Sequence, residues 1–126
     1  MVNIKLEGTQ DTPAVLLDAT KGLIEFSGKS FPADVADYYS PIIKWIDEYA
    51  LKPQVNTTIV MKMDYFNTAS SKVILDILYK FEDISNDGHS VLIKWYFPDD
   101  DDDMKETGEE YEQIVDVKFE HIEYSA

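Results

Sequence analysis

Met61-Lys62-Met63-Asp64-Tyr65-Phe66-Asn67-Thr68-Ala69-Ser70-Ser71-Lys72 reads as a strand that runs directly into the hydroxyl-rich start of a helix. Residues 57–65 are rich in β-branched and apolar side chains, the composition of a strand. Beyond the junction, Val73, Ile74, Ile77, Leu78, Phe81 and Ile84 recur at helical spacing as one apolar stripe, and Gly88 is placed to end the helix. Thr68, Ser70 and Ser71 therefore lie where unpaired backbone amides and the positive end of a helix dipole would meet an anion. Asn67 or Thr68 can cap that helix by accepting hydrogen bonds from its first amides. A hydroxyl here can also carry a phosphate, whose charge the helix start and Lys72 would partly satisfy. Capping and phosphorylation are compatible at one site.

On the N-terminal side, short apolar segments at 4–8, 14–19 and 23–26 read as strands, the last two joined as a hairpin through Thr20-Lys21-Gly22. Across residues 33–51, Val35, Tyr38, Tyr39, Ile42, Ile46 and Tyr49 keep helical phase through Pro41. A kinked helix fits best, although Ser40 could cap a fresh helix with Pro41 at its first position. Residues 90–97 form a further strand closed by Pro98. Residues 106–116 have weak helical character around Tyr111, Ile114 and Val115, reduced by Gly108, and 117–124 finish as an alternating strand or extended tail. This order of elements predicts an α/β sandwich in which a mixed β-sheet packs against helices.

Its 126 residues, 44% of them hydrophobic, suffice for one domain spanning 1–126. Absence of cysteine removes disulfides, thiolate nucleophiles and cysteine zinc sites together. A net charge of −14 repels phosphate backbones and anionic lipid, so nucleic acid is not expected as a partner. The same acidity suits a basic protein partner, and equally serves solubility alone. With neither a secretory leader nor an apolar run of membrane-spanning length, the expected location is the cytoplasm, without membrane insertion.

No catalytic constellation can be assembled. His89 and His121 stand alone, the glycines are scattered, and the carboxylates are too abundant for any spacing to single out an acid and a base. Asp99, Asp101 and Asp103 with Glu110 mimic the ligand spacing of a calcium-binding EF-hand loop. Against that, Met104 occupies the glycine position, Glu106 an apolar one, and a strand precedes the run, so a solvated loop is expected and no metal or cofactor is assigned. Trp95 alternates with Ile93 and Val91 on one strand face and reads as core, while Trp45 fits core or surface.

Gly8-Thr9-Gln10-Asp11-Thr12-Pro13, Gly28-Lys29-Ser30-Phe31-Pro32, Pro41-Ile42-Ile43-Lys44-Trp45, the stretch from Tyr65 to Lys72, Trp95-Tyr96, and the acidic run from Asp103-Met104 to Glu109-Glu110-Tyr111 together resemble the SiaC-type regulatory phosphoproteins. The resemblance spans nearly the whole chain. It implies a fold like the STAS-type anti-sigma-factor antagonists, with the modified residue at a helix start after a central strand. It further implies that a threonine is phosphorylated by a dedicated protein kinase and cleared by a PP2C-type phosphatase, and that the unmodified form binds and activates a diguanylate cyclase. Here that threonine matches Thr68, and the implied partner-binding surface is Asn67, Thr68, Ser70, Ser71 and Lys72. Two departures stand out. Ala69 replaces the usual serine, and Ala33-Asp34 replaces Glu-Asn; neither removes the acceptor, but they leave the client enzyme open. A STAS-like interaction domain that never meets a kinase, or an acidic calcium-binding module, are the alternatives.

Overall fold

Alternation with a period of two puts Val15 and Leu17, Ile24 and Phe26, Ile59, Met61 and Met63, and Val91, Ile93, Trp95 and Phe97 on one face of their strands. In the computed structural model, which describes residues 1–126, every one of them is buried. The strands β1 (Ile4–Leu6), β2 (Ala14–Asp18), β3 (Leu23–Ser30), β4 (Asn56–Phe66), β5 (Ser90–Pro98) and β6 (Lys118–Tyr124) form one sheet in sequence order. The first three strands pair antiparallel, and β3 through β6 pair parallel. Helices α1 (Val35–Leu51), α2 (Thr68–Asn86) and α3 (Asp102–Ile114) supply the crossovers between the parallel strands.

Each crossover steps one strand in the same direction, and such connections are right-handed, so all three helices land on the same face of the sheet. Their stripes and the inner strand face merge into a single core of 25 residues. The mixed sheet packed against helices is therefore as expected, and the opposite sheet face carries no second layer.

Several boundaries differ from the sequence reading for identifiable reasons. β3 continues beyond Phe26 to Ser30 because it pairs with the long β4, shifting register between Gly28 and Lys29, where Gly28 takes φ 92°. α1 is one continuous helix capped by Asp34, with Pro41 inside it on the exposed side. Tail residues expected as strand or extended chain pair with β5 as parallel β6.

The largest correction concerns the acidic run. Only Asp99 and Asp100 stay in an exposed turn: the Asp101 side chain accepts from the Met104 amide at 2.9 Å, and Asp102 and Asp103 form the first turn of α3. That helix strings Asp103 and Glu110 along a rod, so the run does not form the ligand loop of an EF-hand. Gly108 also proves to be a contact point as well as a weak helix former. A Cβ there would lie 2.4 Å from the Trp95 ring, so only glycine lets α3 settle on that indole, whose Nε1 donates to the Met104 carbonyl at 2.9 Å. Trp45 is core, 5% exposed, with Nε1 donating to the Val2 carbonyl.

Candidate functional site

The parallel strand β4 delivers the chain to the start of α2, and Asn67 makes the turn. It sits extended at φ −83° and ψ 177°, and its side-chain oxygen accepts from the Ser70 amide at 2.9 Å. Its own amide donates to the Ser30 carbonyl at 3.1 Å, tying the helix start to the end of β3. Asn67 is thus the cap, which frees the Thr68 hydroxyl from that duty. Thr68 is the first helical residue and is exposed, as are Ala69 and Lys72.

Ser70 and Ser71 face inward and do different work from Thr68. Ser70 is fully buried, its hydroxyl 2.8 Å from the Ser30 hydroxyl, which in turn lies 2.6 Å from the Tyr39 hydroxyl on α1. As a surface contact or an acceptor of phosphate Ser70 is therefore withdrawn, since reaching it would require opening the core between β3, α1 and α2. Ser71 is half-buried. The Tyr111 hydroxyl donates to its carbonyl at 2.9 Å, and the Ser71 hydroxyl can donate back to Tyr111 at 2.9 Å. Burial pushes the Tyr39 and Tyr111 hydroxyls above the ordinary tyrosine range, against the opposing pull of their serine partners. Both remain protonated donors at neutral pH.

Of the sequence-predicted residues, the structure thus groups Asn67, Thr68 and Lys72 outward and Ser70 inward, with Ser71 between them. Sequence reasoning missed the hydrogen bonds of Ser30, Tyr39 and Tyr111, whose partners lie up to 40 residues away along the chain. Flanking the site, Phe31 and Tyr65 are 37% and 51% exposed and meet edge to face at 5.9 Å. A groove of about 250 Å³ beside them is lined by Asp64, Tyr65, Phe66, Asp101, Asp103 and Met104. Two exposed aromatics next to an exposed hydroxyl make a surface suited to protein contact.

His121 has its Nε2 2.9 Å from a Glu112 oxygen. No helix is long and apolar enough to cross a membrane.

A family model described as "SiaC family regulatory phosphoprotein" matches residues 6–124. An uncharacterized protein of Pseudomonas aeruginosa (strain UCBPP-PA14) is 26% identical over 119 residues, covering 94% of each chain. The crystal structure of apo-SiaC from Pseudomonas aeruginosa is similar, with TM-score 0.88 and 26% identity over 97% of this chain and 99% of that one. A chain in the crystal structure of diguanylate cyclase SiaD in complex with its activator SiaC, from the same organism, matches with TM-score 0.90 and 25% identity over 96% of this chain and 99% of that one. With the match running from β1 through β6 and including the β4–α2 junction, the chain belongs to the SiaC family of regulatory phosphoproteins.

Proposed function

We propose that this chain is a non-enzymatic, cytoplasmic partner-switching regulator that binds and activates a diguanylate cyclase while Thr68 is unmodified. A protein kinase phosphorylates Thr68, and a PP2C-type phosphatase reverses the modification. The observation that carries this reading is the division of labour at the start of α2. Asn67 caps the helix and Ser70 anchors it, so Thr68 is left exposed with no structural task for its hydroxyl. Likeness to SiaC, described as an activator in its complex with SiaD, supplies the client class.

Modification acts through charge. A phosphate at Thr68 adds nearly two negative charges to a surface the client must cover, and an anion left unpaired in a desolvated interface costs several kcal/mol. The protein itself tolerates the group, because the helix start and the unpaired Lys72 ammonium lie beside it. The contact surface consists of Asn67, Thr68, Lys72 and the edge of Ser71, extended by Phe31 and Tyr65.

Capture from native lysate on immobilised wild type, Thr68→Ala and Thr68→Glu, with mass spectrometry of retained proteins, tests the reading. A cyclase held by wild type and Thr68→Ala but lost with Thr68→Glu is expected. Equal retention on all three would remove Thr68 as the control point and leave a constitutive interaction domain.

A further inference from the structure

The sheet face away from the helices is uncovered, and its side chains fall into ordered rows. Register places Leu16, Glu25, Val60, Lys94 and Glu120 side by side across β2 to β6, and Asp18, Leu23, Thr58, Leu92 and Lys118 in a second row. Lys5, on β1, extends the first row beside Leu16. Three lysines and three carboxylates thus share these rows of a chain whose net charge is −14. None of them is in either of the protein's two ion pairs, Lys80 with Asp47 and His121 with Glu112.

Apart from Leu16, which falls opposite Glu120, the rows are self-complementary about β4. We propose that this face docks against a second copy of the same chain, related by a two-fold axis running along β4. Such an axis reverses strand order while keeping each row opposite itself. Val60 then meets Val60, Leu23 meets Leu92, Glu25 meets Lys94, and Asp18 meets Lys118, each unlike pair formed twice. In a third row the axis passes Lys62, whose ammonium is already held over the Tyr96 and Tyr124 rings at 5.7 and 4.7 Å from their centroids. That contact draws Lys62 aside, and Asp64, two residues further along the same face of β4, is the second like-charged position on the axis.

Shape agrees with charge. Small residues Ala14 and Ser27 leave a shallow hollow of about 250 Å³ between Lys5, Leu16 and Glu25. Ala14 lies two strands from β4 on one side, as Ile122 does on the other, so Ile122 of the second copy falls over the hollow. Sheets that pack face to face keep their strands roughly aligned, and inherent twist splays the corners, so the central pairs dominate. At a strand spacing of ~4.8 Å and ~3.3 Å per residue, five strands offer about 600 Å² per copy, the low end of stable interfaces. The test therefore spans the micromolar range, where a weak dimer would show.

Sedimentation equilibrium of the full-length protein across the micromolar range tests this. Wild type is expected to shift from monomer to dimer with concentration. Glu25→Lys alone, or Lys94→Glu alone, places like charges opposite each other twice and should weaken association about tenfold or more, while the double reversal restores it. Val60→Asp, which sets two carboxylates on the axis, should also give monomer. Urea midpoints close to wild type verify that each variant is folded, as expected for side chains outside the core. A wild type that stays monomeric overturns the proposal, as does a dimer indifferent to the single reversals or one that the double reversal fails to restore.

Discussion

All three helices start at the same end of the sheet, and the first turns of α2 and α3 are opposites. α3 is capped by the charged Asp101 and carries Asp102 and Asp103 in its first turn, so its N-terminal dipole is already neutralised. α2 is capped by neutral Asn67 and carries no acidic residue in its first turn, in a chain with 25 of them. α1 resembles α3, with Asp34 as cap and Asp37 in the first turn. The difference teaches where an added anion is tolerated: only at α2 does the positive end of a helix remain without a negative partner. That is the turn that exposes Thr68.

The largest disturbance to this contrast comes from moving α3 itself. Gly108→Val pushes a branched side chain into the Trp95 ring, where even a Cβ would approach to 2.4 Å. Overpacking of this kind costs about 1–3 kcal/mol, which urea denaturation would show as a lower midpoint. An unchanged midpoint would mean that α3 is not seated on Trp95 as described.

Removing the neutral cap comes next. Asn67→Ala strands the Ser70 amide that its side chain now satisfies, at a cost of about 1 kcal/mol by thermal or urea unfolding. Asn67→Asp should keep the cap and break the contrast, because it gives α2 the charge that α3 already has.

Most of the β4–α2 junction was legible in the sequence, because its signals are local: a β-branched run, an Asx-type cap, hydroxyls, then apolar positions at helical period. The start of α3 was not. Five consecutive aspartates at 99–103 read as solvated chain, since aspartate is a poor interior helix residue, yet in a first turn the dipole favours it. Ser30 was part of a family motif, but nothing local signalled its burial. Its burial depends on Ser70 and Tyr39 arriving from other elements, and a polar Ser-Gly-Lys-Ser stretch looks like a strand end until β4 is there to pair with it. The uncovered sheet face was likewise invisible, since helices on one side only is a consequence of crossover direction across the whole sheet.

Smaller effects follow from the hydroxyls that hold α2 from behind. Tyr111→Phe loses its bond to the Ser71 carbonyl, a loss of about 1 kcal/mol in urea unfolding. Because burial raises the Tyr39 and Tyr111 values in the fold, the unfolded chain releases those protons first as pH climbs. Their contribution is therefore intact below the ordinary tyrosine value of ~10 and declines above it, and Tyr39→Phe should flatten that decline in an alkaline series of melts. Stability that rises with pH above that value would contradict the buried, protonated assignment.

The smallest predicted effect addresses the dipole contrast alone. Ala69→Glu adds a carboxylate to the exposed first turn of α2 and should stabilise by about 0.3–1 kcal/mol at low salt, fading as salt screens it. Asp103→Asn in α3 should destabilise by a similar amount under the same conditions. No gain from Ala69→Glu, or no loss from Asp103→Asn, would erase the distinction between the helices.

Whether Thr68 is the switch is tested most directly by calorimetric titration of the cognate diguanylate cyclase with the unmodified protein and with protein phosphorylated at Thr68. The unmodified form should bind, and the phosphorylated form should bind at least about a hundredfold more weakly, the loss expected for burying an unpaired anion. Equal affinity for the two forms would contradict it.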